Sequence, residues 1–114
     1  MNLLFKTFLF LLISVSASAK LTFVFCDSLG CNKESIVTEL ISTEIKDGNF
    51  SCVTNNSSTP SLAINGESLR DQGLSAFQFQ QFLVDGLTSE RNYIVQYKNN
   101  GIGHDLVSIS TWAK

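Results

Sequence analysis

The side chains able to do covalent, acid–base or metal chemistry are few in this chain: three cysteines, Cys26, Cys31 and Cys52, and one histidine, His104. Cys31 closes the stretch "FCDSLGC" and stands just before "NKESIVTELISTEIKDG", a segment that reads as a helix. A thiol at a helix N-terminus has a lowered pKa and becomes a nucleophile when a base stands beside it. His104 is the base on offer. It lies in the loop "KNNGIGHD" beside Asp105, and nothing in the spacing brings it to Cys31, so the simpler reading is an exposed loop histidine. Three thiols and one distant histidine do not make a tetrahedral zinc set. No G-x-S-x-G, phosphate-binding glycine loop or H-E-x-x-H occurs. The residues alone point to a protein with no catalytic site and no cofactor.

The cysteines must be read with their compartment. "MNLLFKTFLFLLISVSASA", residues 1–19, carries Lys6, then an apolar run from Phe8 to Val15, and closes on Ala17-Ser18-Ala19. That is the pattern of a cleaved signal peptide, and the run is short of the roughly 20 residues that span a bilayer. The expectation is one secreted domain over residues 20–114, with no membrane attachment after cleavage. An oxidising route lets thiols pair and opens three sequons to glycosylation, at Asn49, Asn55 and Asn56. The formal charge is −2, one more negative once Lys6 leaves. The remaining basic residues are scattered, which disfavours RNA as a partner because phosphate binding needs clustered Lys and Arg.

The elements that must position these groups follow from periodicity. Leu21 to Cys26 is a short buried strand. Over about 33–46 the spacing predicts a helix, with Asn32 as N-cap, Glu34 in the first turn, Lys46 in the last, and Ile36, Val37, Leu40, Ile41 and Ile45 as its apolar stripe. Gly48 would be its left-handed cap. "NFSCV" and "SLAIN" then read as strands, Asn65-Gly66 as a turn, and residues 67–75 as irregular. In "AFQFQQFLV", Phe77 and Phe79 alternate with Gln78 and Gln80, favouring a strand bent near Gln81; the alternative is a helix face of Ala76, Phe79 and Leu83. "NYIVQY" and "LVSISTW" are strands around the Gly-rich loop. The class is α+β, one N-terminal helix packed on a mainly antiparallel sheet.

That reading sets a cysteine geometry. A helix over 33–46 is roughly 21 Å long, and an extended return from Gly48 to Cys52 recovers on the order of 13 Å. Cys52 then approaches Cys31, with Cys26 as the other candidate, and one thiol is left over. A Cys31–Cys52 bridge would contribute about 3 kcal/mol on the chain-entropy model.

The order of these elements carries a resemblance. A leader, Phe23 and Phe25 flanking the position two before Cys26, one helix, then "QQFLVDG" and "RNYIVQYKNNG…LVSIST" resemble the ribonuclease-like secreted effectors of powdery mildew fungi, whose scaffold is that of guanyl-specific ribonucleases. By that alignment Gln81, Tyr93 and Ser110 stand where the ribonucleases carry a Glu base, an Arg phosphate stabiliser and a His acid. Gln81 cannot act as a general base, Tyr93 holds no fixed positive charge and Ser110 is no acid at neutral pH. The resemblance thus implies a non-catalytic effector with a degenerate site. It would bind a host component, a protein rather than RNA, to suppress or be recognised by plant immunity, outside host cells or after translocation into them.

A second resemblance is to thioredoxin-like two-iron ferredoxins. Cys26-x4-Cys31 is similar to one cysteine pair, and "CVTNNSSTPSLAING" to the second pair and following strand, with Asn56 in place of the fourth thiolate. It implies a redox-type fold without its cluster and a parallel pairing of residues 21–25 with 49–53. An active secreted ribonuclease is the third reading.

Overall fold

Residues 21–88 and 91–113 are described by a computed structural model; the expected leader lies outside them. The chain forms β1 (Leu21–Asp27), β2 (Gly30–Val37), β3 (Leu40–Lys46), β4 (Asn49–Thr54), β5 (Ser61–Ile64), helices α1 (Gly66–Asp71) and α2 (Ala76–Thr88), β6 (Arg91–Asn99) and β7 (His104–Ala113). The strands make one seven-stranded mixed sheet in the order β2-β1-β6-β7-β5-β4-β3. β1/β6 and β5/β7 are parallel, and the other neighbours are antiparallel.

This corrects the expected class of one N-terminal helix on a mainly antiparallel sheet. Residues 33–46 are not helical: they are most of β2, a two-residue link and all of β3. The segment is rich in Ile, Val and Thr, which lose χ1 freedom in a helix and pack well on a pleated surface. Its apparent stripe is not buried as one face, since Val37 is sealed while Ile36, Ile41 and Ile45 are exposed. Asp47-Gly48 is no helix cap. Both residues have positive φ (53° and 80°), the geometry of a two-residue hairpin turn joining β3 and β4.

The helices form where the sequence reading placed irregular chain and a strand. Asn65, with extended φ/ψ, caps α1 by accepting the Glu67 N–H. Ser75 opens α2 with a reciprocal capping box: Gln78 N–H donates to Ser75 Oγ at 3.1 Å, and Ser75 N–H donates to Gln78 Oε1 at 2.9 Å. Ala76, Phe79, Leu83 and Gly86 form its buried face, and Phe77 is left outside.

β2 and β3 are the two outer strands of the sheet, yet only Thr38 and Glu39 separate them in the chain. So short a link spans roughly 10 Å at most, so the sheet must curl until its edges approach. Asn55 N–H donates to the Glu39 carbonyl at 3.3 Å, Thr38 Oγ1 to Asn55 Oδ1 at 3.1 Å, and Asn56 Nδ2 to the Ile36 carbonyl. The result is an incomplete barrel of two half-sheets, β2-β1-β6-β7 and β5-β4-β3. They are joined at a single bridge, Ile64 to His104, and by the Asn65 N–H to the His104 carbonyl at 2.7 Å.

The core fills one end of the concave face. Leu21 and Phe23 on β1 lie in register with Tyr93 and Val95 on β6; Phe50, Leu62 and Ile64 come from the other half. α2 packs on both halves. Phe79 meets Phe50 edge-on at 5.1 Å, Phe82 leans on Tyr93 at 6.0 Å, and Gly86 comes so close to Leu21 and Tyr93 that a Cβ there would touch both. Each fully buried side chain of this size stabilises by about 1.5–3 kcal/mol.

Candidate functional site

At the other end the same concave face is open. Phe25 follows Phe23 on the inner side of β1, and Tyr97 follows Val95 on β6, in register with it. Their rings lie 5.7 Å apart, and His104 sets its ring edge-on to Tyr97 at 5.2 Å. These aromatics line a cleft of about 400 Å³, walled on one side by Lys33, Glu34 and Ser35 of β2 and on the other by Ser58 to Ser61 of the β4–β5 loop. The loop is rigidly tied. Asn56 Oδ1 accepts from Ser58 and Thr59 N–H, and Thr54 Oγ1 donates to the Thr59 carbonyl. Thr59 is only 3 % exposed, and its Oγ1 is buried without a hydrogen-bond partner among the described residues.

His104 was expected as an exposed loop residue, but it is the first residue of β7 and partly buried. Its Nδ1 lies 3.1 Å from the Ala63 carbonyl and 3.3 Å from the Ala63 N–H. The neighbouring Asp105 accepts from Asn100 Nδ2 at 3.0 Å. The ring therefore belongs to the seam between the half-sheets and to the cleft wall at once. The strand read from "LVSISTW" starts two residues before that stretch, which is what carries His104 into the sheet.

The cysteines pair differently from the expected Cys31–Cys52. Cys26 and Cys31 are bridged across the end of the β1–β2 hairpin, and Cys52 is free and buried. With no helix over 33–46, the argument that carried Cys52 back to Cys31 fails; the Asp27–Gly30 turn places Cys26 opposite Cys31 in the ladder. Cys31 is thus neither at a helix start nor a free thiol. Burial pushes the Cys52 thiol up to about 12, opposed by a smaller effect of a backbone hydrogen bond from Leu62.

Gln81, Tyr93 and Ser110 are not brought together. Gln81 is exposed on α2, Tyr93 is buried on the helix-covered face of β6, and Ser110 pairs with Ile94 on the uncovered face of the same ladder. The sequons differ in how they are held. Asn55 donates Nδ2 to Glu39 and Asn56 donates its own to Ile36, whereas Asn49 uses only Oδ1, accepting from Gly66 N–H at 2.7 Å. Among the described residues no three His, Cys, Asp or Glu side chains converge as a metal site requires, and no helix is long and apolar enough to cross a membrane.

No match to the chain was found among protein-family models, curated proteins or solved structures. The parallel pairing of residues 21–25 with 49–53 that the ferredoxin resemblance implies is absent, since β1 lies between β2 and β6.

Proposed function

We propose that the protein is a secreted, non-catalytic binding protein that engages a partner protein at the cleft, and that it serves as a fungal effector whose partner belongs to the plant host. The observation that carries the binding reading is the open end of the concave face: an aromatic floor of Phe25, Tyr97 and His104 between two polar walls. An aromatic centre framed by a polar rim is the ordinary anatomy of a protein-recognition patch. The host setting rests on the sequence resemblance alone. RNA is disfavoured by the acidic net charge, and among the described residues Lys33 is the one lysine or arginine in the cleft walls.

Site-specific cross-linking tests this reading. A photoreactive residue at Ser58, on the cleft rim, should capture a single protein from host tissue, and the same residue at Ser110, on the far face, should not. Excess unlabelled protein should compete, and Lys33→Glu should compete poorly. Equal capture from both positions would count against the cleft. RNA cleavage by the purified protein that disappears in His104→Ala would overturn the non-catalytic part.

A further inference from the structure

Resting on that binding reading, we infer that the partner's segment is an extended strand that adds to the free edge of β2 and carries an acidic side chain opposite Lys33. Among the described residues β2 is an outer strand and pairs only with β1. Its residues alternate: Lys33, Ser35 and Val37 register with Phe25, Phe23 and Leu21 on the concave side, while Glu34 and Ile36 register with Val24 and Thr22 on the other. Glu34 nevertheless lines the cleft. Its side chain belongs to the opposite face, so what it presents there is edge backbone.

The direction of that backbone is fixed by a neighbour. The Ile36 carbonyl accepts from Asn56 Nδ2 of the β4–β5 loop, so it points away from β1. In an antiparallel ladder the N–H and C=O of one residue point the same way, and the pattern repeats every second residue. Glu34 therefore turns both groups into the cleft, without a partner among the described residues. A side-chain amide already does at Ile36 what a pairing strand would do at Glu34. The opposite wall presents the exposed Ser58 and Ser61, and the floor offers the aromatic pocket to alternate side chains. Strand addition works in this way, with main-chain bonds giving affinity and pockets giving specificity. Lys33 makes no ion pair among the described residues, so a carboxylate on the incoming strand completes the charge match.

The test selects linear peptides from a displayed library on the purified protein and measures the synthesised consensus peptide by calorimetry. The peptide should contain an acidic residue and slow exchange of the Glu34 amide. Glu34→Pro removes the outward N–H while leaving the β1 ladder intact, and should weaken binding roughly tenfold or more. Lys33→Ala should weaken it less, and Ser58→Trp, which fills the cleft, should abolish it. Should Glu34→Pro fail to fold, a peptide N-methylated at alternate amides makes the same test on the unaltered protein. Binding lost in Ser58→Trp but indifferent to Glu34→Pro or N-methylation overturns strand addition and leaves the cleft reading standing. Binding indifferent to all of them overturns both. A library that yields no binder, or a dimer paired through β2, overturns the proposed partner.

Discussion

On β1, Leu21 and Phe23 run beneath α2 and are sealed, while Phe25, two residues on, opens into the cleft; on β6, Val95 is sealed and Tyr97, still largely buried, lines the cleft floor. The two ends share strands, register and aromatic character. They differ in what lies opposite. At the sealed end a capped helix brings Phe79 and Leu83 down onto both half-sheets. At the open end the facing element is the β4–β5 loop, which stays at the rim and contributes hydroxyls and one proline. Stability is thereby concentrated at one end and the proposed recognition at the other, and substitutions should separate the two.

The largest effect is expected from Phe79→Ala at the sealed end. It removes a fully buried ring that packs on Phe50 and should cost about 3–5 kcal/mol in urea unfolding, while molecules that remain folded bind as before. Loss of cleft binding with retained stability would break the comparison. Next is Gly66→Ala, where the added methyl would stand 2.6 Å from the Gly48 carbonyl oxygen. Backbone must shift where α1 meets the β3–β4 turn, at a cost of about 1–3 kcal/mol in the same measurement.

Cys52 offers a titration of the sealed end. Its folded value is raised from 9.0 to about 12, so the folded state holds the proton more tightly than the unfolded one. The stabilisation is intact below 9.0 and should fall by about 1.4 kcal/mol per pH unit as pH rises from there toward 12, where it is lost. Unfolding of the wild type compared with Cys52→Ala over that range isolates the slope from other alkaline titrations. A slope shared by both would mean that the thiol is not sealed. The smallest stability effect belongs to Lys33→Ala at the open end, within about 0.5 kcal/mol of wild type by thermal melting, against a clear loss in binding.

The sequence made the five inner strands of the sheet legible and hid its two outer strands and both helices. β1, β4, β5, β6 and β7 announce themselves by period and by β-branched or aromatic content, and they carry most of the core. Residues 30–46 misled because two strands joined by a short link happen to space Ile36, Leu40 and Ile41 as a helix would. Asp47-Gly48 is compatible with a helix end or a hairpin, and only tertiary pairing decided between them. α2 was masked by the alternation of Phe77 and Phe79 with glutamines, although Ser75-x-x-Gln78 is a capping box readable in the sequence. The cleft was not legible at all. Its walls come from β2 and from residues 58–61, which meet only because the sheet curls, and its floor joins Phe25 to His104 across the chain.

The link at Thr38–Glu39 also bears on how this protein behaves in a crowd of its own copies. An open seven-stranded sheet would offer two free edges as templates for neighbouring molecules. Here two residues lash the edges to one another, so each partly screens its twin. A backbone nick between Thr38 and Glu39 would leave the paired ladders and the shared core intact and still loosen that lashing, letting the two edges draw apart. The nicked protein should then polymerise edge to edge, which makes this short link a safeguard for solubility as much as a turn in the chain.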